Sequence, residues 1–227
     1  MEYLFDTANI EEIRKYGEIY PYTGVTSNPS IIKKEGKIEF FEHFREIRKI
    51  IGNERSLHIQ VTAMNAEDMV KEAKAILQRI DDEVFIKIPV TEEGLKAMKI
   101  LKAEEEMGIT ATAIYTKTQG LLAMEAGADY IAPYFNRMEN MDIDGAAVIA
   151  DFAEMIDRWG YRTKILAASF KNMAQVNAAF EAGAHTATLQ PGLLHDALNT
   201  AAVGKAVDDF GKDWKTVFGD VMIHEME

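Results

Sequence analysis

The feature that most constrains this chain is a regular alternation of short apolar runs with amphipathic stretches, repeated nearly from end to end. Runs at 3–5, 22–26, 57–62, 84–88, 109–115, 130–134, 164–168 and 186–189 read as strands. Between them the spacing predicts helices near 9–19, 38–51, 66–80, 92–106, 119–126, 145–159 and 174–182. Strands separated by helices pair in parallel, because only a crossover returns the chain to the same end of the sheet. The pattern therefore predicts an α/β fold, a single (β/α)8 TIM barrel spanning residues 1–227. A doubly wound open sheet is the alternative.

Punctuation agrees with such units. Glu125-Ala126-Gly127-Ala128 precedes one strand and Glu181-Ala182-Gly183-Ala184 another, each with glycine where a helix ends and φ turns positive. No Pro/Gly/Ser-rich linker divides the chain into domains. After the eighth strand the pattern continues into a helix near 193–198 and a longer extra C-terminal helix over 200–218. Val203, Val207, Phe210, Trp214 and Phe218 form an apolar stripe along it. That stripe packs either on its own barrel or on a neighbouring subunit.

Several function classes are excluded or disfavoured. There is no cysteine, so thiolate zinc sites, disulfides and a cysteine nucleophile are ruled out. The five histidines are scattered, with no i,i+4 pair beside a carboxylate, so no metal site is expected. Neither a P-loop nor a dinucleotide glycine signature occurs. The net charge of −12 argues against nucleic acid or an anionic membrane as partner. The start lacks a signal-peptide pattern and no apolar run is long enough to span a bilayer, so a cytoplasmic protein is expected. With so much negative charge overall, a phosphorylated substrate needs a local cation to hold it.

Barrel chemistry sits at the C-terminal ends of the strands. Polar residues converge there: Asp6, Thr26 with Ser27 and Asn28, Gln60, Lys87, Thr110 and Thr112, Tyr134 with Arg137, and Ser169. Lys87, within Val84-Phe85-Ile86-Lys87-Ile88-Pro89, is the most informative. Barrel strands are buried on both faces, and burial favours the neutral amine. At an ordinary pKa of about 10.4, only roughly one lysine in 2,500 is neutral at pH 7. Lowering that pKa makes the amine a nucleophile toward a ketone. Alternatively, Lys87 snorkels outward or pairs with a carboxylate. Asp6 is either that ion-pair partner or a carboxylate that handles a substrate proton. Arg137 is a surface arginine or a phosphate clamp. Lys117 and Lys171, each following a strand, read as ordinary loop or helix-start lysines, and Lys164 opens its strand at the wrong end of the barrel.

Several segments together resemble the small transaldolase-like enzymes, most closely the fructose-6-phosphate aldolase branch. They are Leu4-Phe5-Asp6-Thr7, Gly24-Val25-Thr26-Ser27-Asn28-Pro29-Ser30, Gln60-Val61, Ile86-Lys87-Ile88-Pro89-Val90-Thr91, Glu93-Gly94-Leu95, Thr112-Ala113-Ile114-Tyr115, Gln119-Gly120-Leu121-Leu122, Ala132-Pro133-Tyr134-Phe135-Asn136-Arg137 and Ala167-Ala168-Ser169-Phe170. The resemblance covers nearly the whole chain. It implies a class I aldolase in which Lys87 forms a Schiff base, with no cofactor. Asp6, Gln60, Thr112 and Tyr134 would act around the reacting carbons and a catalytic water. Asn28 and Thr26 would line the substrate, and Arg137 and Ser169 would bind its phosphate. It further implies reversible cleavage of fructose 6-phosphate to dihydroxyacetone and glyceraldehyde 3-phosphate, or transfer of the dihydroxyacetone unit to another aldose phosphate. Transaldolases typically carry glutamate and phenylalanine where this chain has Gln60 and Tyr134, which favours the aldolase. The family also implies a homo-oligomer, a pentamer or decamer, with the C-terminal helix packed on a neighbour. The departures are Ser27, where threonine is frequent, the displaced Pro191, and the acidic 104–107 stretch. A barrel that binds sugar phosphates without catalysis is the rival of another class.

Overall fold

The computed structural model describes residues 1–104 and 107–226. Glu105 and Glu106, within the acidic 104–107 stretch, lie outside the described residues. The chain begins β1 (Glu2–Asp6), α1 (Ile10–Gly17), β2 (Gly24–Thr26), α2 (Pro29–Glu35), α3 (Phe40–Ile51), β3 (Ser56–Gln60), α4 (Ala66–Arg79), β4 (Phe85–Pro89) and α5 (Glu92–Glu104). It continues β5 (Ile109–Ile114), α6 (Lys117–Glu125), β6 (Tyr130–Pro133), α7 (Phe135–Glu139), α8 (Gly145–Trp159), β7 (Lys164–Ala167), α9 (Met173–Glu181) and β8 (Thr186–Leu189). Two more helices follow, α10 (Pro191–Leu198) and α11 (Ala201–Phe218).

The strands close in sequence order, each parallel to its neighbours, and β8 pairs back to β1. The expected barrel is therefore present and the open sheet is not. The apolar runs explain the closure. Val25, Leu57, Ile59, Ile86, Ile88, Ile109 and Ala111 are fully buried, and each of the valine, leucine and isoleucine side chains contributes about 1.5–3 kcal/mol by leaving water. Residues two apart share a face, so the register decides what points inward. Asp6 pairs Thr26, Thr26 pairs His58, Gln60 pairs Lys87, and Lys87 pairs Thr110. These residues belong to one inward-facing set.

Two short helices differ from expectation. α2 and α7 occupy stretches that the periodicity leaves as loop, because a helix of five to seven residues is too short to show a period. Both start immediately after a strand and form part of the C-terminal rim. Gly127 and Gly183 adopt φ of 87° and 101°, as the helix–strand punctuation requires. At Gly94 the constraint is space: a Cβ there would lie 1.9 Å from Pro89 O. The start of α5 thus sits directly on the end of the lysine strand, which only glycine allows.

By its internal contacts the chain divides into two compact units, residues 1–191 and 192–227. In the second unit α11 has no buried residue. The Trp214 ring packs against Phe218 in a tilted arrangement, centroids 4.6 Å apart, and its indole N–H donates to Val221 O at 2.9 Å. No helix among the described residues is long and apolar enough to cross a membrane.

Candidate active site

The C-terminal mouth of the barrel holds a cavity of about 450 Å³. Asp6, Asn28, Gln60, Lys87, Tyr134, Arg137 and Ser169 all line it. Thr26 and Thr112 sit one hydrogen bond behind. Thr26 Oγ1 donates to Asp6 Oδ1 at 2.7 Å, and Thr112 Oγ1 is 3.1 Å from Tyr134 Oη. Every site residue expected from the sequence is thus gathered at one end of one barrel.

Lys87 is only 2% exposed, so it does not snorkel out of the fold. Burial pushes its pKa below the ordinary lysine value, and the Asp6 carboxylate opposes this by attracting the ammonium. Asp6 itself is shifted upward, again by burial first, with Lys87, the Thr26 hydroxyl and Lys34 pulling it back. Each group weakens the other's charge penalty without cancelling it. The result is an amine more readily neutral than a surface lysine, beside a carboxyl group able to exchange a proton.

The remaining polar groups surround this pair. Asn28 Oδ1 accepts from the backbone N–H groups of Ser30 and Ile31, capping α2. Its carbonyl is thereby committed, which leaves the amide NH₂ as its donor toward the cavity. Gln60 Oε1 is buried and, among the described residues, accepts no hydrogen bond, which leaves it free to accept from a group that enters the cavity. Burial raises the pKa of the Tyr134 hydroxyl, with the Thr112 hydrogen bond opposing, so the phenol keeps its proton at neutral pH.

The cationic part of the rim lies at the ends of β6 and β7. Tyr134 bridges Ala168, and Asn136 N–H donates to Ser169 O at 2.9 Å, joining the two strand ends. Ser169 has φ of 65°, a left-handed conformation that is uncommon without glycine. Ala113, also lining the cavity, has φ of 56° beside a register shift in β5. Non-glycine residues in this region concentrate at functional sites, where the surrounding structure holds them. Arg137 lies with its guanidinium 5.1 Å from the Tyr134 ring centre.

Lys171, which the sequence places in a loop or helix start, lies in the loop before α9 and lines the cavity, its backbone N–H held by Gln175 Oε1 at 2.7 Å. Lys117, by contrast, pairs with Asp151. Lys34 also lines the cavity and was not singled out, because it lies on α2, the short helix that periodicity missed. His58 stands in the sequence only as one of the five scattered histidines. It is fully buried in the barrel, with Nδ1 2.8 Å from Thr110 Oγ1 and Nε2 2.9 Å from Ser56 Oγ. Its place on the same face of β3 as Gln60 was the available signal. Among the described residues, no group of three or more histidines and carboxylates could hold a metal ion.

A buried lysine, a carboxylate beside it and a cationic rim, all at the C-terminal mouth of a closed parallel eight-stranded barrel, are the arrangement of a (β/α)8 barrel enzyme. The chain belongs to the transaldolase/fructose-6-phosphate aldolase family, whose model matches residues 3–224. It is 53% identical over 214 residues to a probable fructose-6-phosphate aldolase of Streptococcus pneumoniae (strain ATCC 700669 / Spain 23F-1), covering 94% of this chain and 96% of that protein.

Proposed function

We propose that the chain is a class I aldolase that reversibly cleaves fructose 6-phosphate to dihydroxyacetone and glyceraldehyde 3-phosphate. The observation that carries this reading is Lys87, buried in the barrel mouth with its pKa depressed and Asp6 beside it. Neutral Lys87 Nζ attacks the C2 carbonyl, and the carbinolamine loses water to give an iminium. A base removes the C4 hydroxyl proton, the C3–C4 bond breaks, and its electron pair moves into the iminium to form an enamine. Glyceraldehyde 3-phosphate leaves as the aldehyde. Protonation at C3 and addition of one water then release dihydroxyacetone and regenerate the amine. Asp6 exchanges the proton of the substrate hydroxyl, with Gln60, Thr112 and Tyr134 holding the water that relays it. Asn28 and Thr26 position the donor end, while Arg137, Ser169 and Lys171 hold the phosphate. The chemistry needs neither metal nor cofactor.

Transaldolase activity uses the same enamine and differs only in its fate. The hydroxyl of Tyr134 favours the aldolase, because it supplies a proton donor where phenylalanine supplies none. The printed name of the Streptococcus relative supports the same choice. The test is a product assay. Fructose 6-phosphate alone should yield free dihydroxyacetone and glyceraldehyde 3-phosphate in equal amounts. Turnover only when erythrose 4-phosphate is added would make the enzyme a transaldolase.

The apolar face of α11 and the family resemblance support a homo-oligomer, a pentamer or decamer, in which α11 docks on a neighbouring subunit. Barrel and helix then form one functional domain across residues 1–227. Phosphorylated sugars are retained in the cytoplasm, which is the compartment this function assigns.

A further inference from the structure

We infer that Tyr115 is a positioning residue that aims Arg137 at the substrate phosphate, and so sets the preference for phosphorylated over unphosphorylated aldehydes. The inference rests on the aldolase reading above and deepens it at the phosphate end. Arg137 is exposed and, among the described residues, makes no ion pair. Its polar anchor is one hydrogen bond, from Nη1 to Tyr115 Oη at 2.9 Å. A long arginine loses considerable rotamer freedom when it binds an anion. A partner that already holds the guanidinium lowers that cost before substrate arrives.

Tyr115 is itself built to serve as such an anchor. Its backbone N–H donates to Gln119 Oε1 at 3.0 Å. The same glutamine donates from Nε2 to Val90 O at 3.1 Å and Ala113 O at 3.3 Å, tying the ends of β4 and β5 together. The Tyr115 ring packs edge-on against Tyr134 at 5.6 Å. Backbone, ring and hydroxyl are thus each held by a different partner. Since Arg137 also lies over the Tyr134 ring, the two tyrosines flank the guanidinium, one by its face and the other by its hydroxyl. The cluster gives Gln119 a role that the fold alone does not demand: it fixes the residue that fixes the clamp.

Tyr115→Phe removes the hydroxyl and keeps the ring against Tyr134, so it separates anchoring from packing. The experiment measures kcat/KM in the synthesis direction with dihydroxyacetone and either glyceraldehyde 3-phosphate or glyceraldehyde. The ratio of the two values should fall about 3- to 10-fold in Tyr115→Phe, through KM for the phosphorylated aldehyde, as expected for loss of one exposed charge-assisted hydrogen bond. In an Arg137→Met background the same change should have no further effect on the ratio, because the group being aimed is gone. Calorimetry with inorganic phosphate supplies a readout that does not need turnover, and its Kd should weaken by a similar factor. An unchanged ratio with unchanged phosphate affinity overturns the inference, as does an equal fall for both aldehydes. If the wild-type protein turns over neither aldehyde while Tyr115→Phe still weakens phosphate binding, the aldolase reading fails and the positioning role stands.

Discussion

Thr112 Oγ1 and Tyr134 Oη lie 3.1 Å apart, joining the C-terminal ends of β5 and β6 behind the wall of the cavity that Lys87 and Tyr134 line. The phenol keeps its proton at neutral pH and Thr112 fixes its direction. Tyr134→Phe should therefore reduce release of free dihydroxyacetone by about 100-fold, the usual scale for losing a positioned proton donor. Transfer of the same unit to erythrose 4-phosphate should fall much less, since that route does not protonate the enamine. Gln60→Glu should move the balance in the same direction. Equal losses in release and transfer would show that Tyr134 acts elsewhere in the cycle.

The rate of imine formation should rise with pH and then level off. Burial lowers the Lys87 pKa, and only the neutral amine attacks, so activity is lost as pH falls through the folded value. Asp6 attracts the ammonium and raises that pKa. Asp6→Asn should accordingly shift the acidic limb to lower pH, even as the later proton transfers slow. Stopped-flow measurement of imine formation across pH checks this, and a limb that moves upward contradicts the coupling.

The barrel was legible because its period is carried by many residues at once. Eight apolar runs with helical patterns between them leave few alternatives, and closure follows once both faces of each strand are buried. The site was legible for a related reason: strand-end polar residues such as Asp6, Gln60 and Lys87 interrupt runs that are otherwise apolar. Lys34 has no such signal because it lies on α2, a helix too short to show a period, and Lys171 has none because it sits in the loop before α9, where lysine is common and has no pattern to break. His58 escaped because a histidine inside a strand looks the same in sequence whether or not its ring nitrogens have partners. Only the fold brings Thr110, 52 residues away, to its Nδ1.

His58 makes acid stability a separate test. Its pKa lies well below the ordinary 6.5, through burial first and then the charges of Lys87 and Arg48. As pH falls through 6.5 the unfolded chain takes up a proton that the native imidazole refuses, so stability is lost from there down to the folded value. His58→Leu should cost about 1–3 kcal/mol at mildly alkaline pH by leaving buried hydroxyls unpaired. It should also flatten the fall in stability on the acidic side. Urea unfolding across pH measures both, and an unchanged slope would mean another group controls acid unfolding.

The exposed face of α11 bears on assembly. Val207 and Phe210 are 61% and 70% exposed, and covering two such side chains is worth about 1.5–3 kcal/mol each. Light scattering should give a mass that is a multiple of 25.5 kDa for the native chain. Val207→Lys with Phe210→Lys should shift it to smaller species while the far-ultraviolet spectrum is retained. A native chain that is monomeric, or an assembly indifferent to both lysines, contradicts docking through this face.

The most direct measurement is chemical trapping of the imine. Incubation with dihydroxyacetone or fructose 6-phosphate followed by borohydride should add the mass of a reduced donor adduct, and peptide mapping should locate it at Lys87. The adduct should be absent from Lys87→Met. A protein that turns over fructose 6-phosphate yet gives no adduct, or carries it on Lys34 or Lys171 instead, would contradict Lys87 as the covalent catalyst.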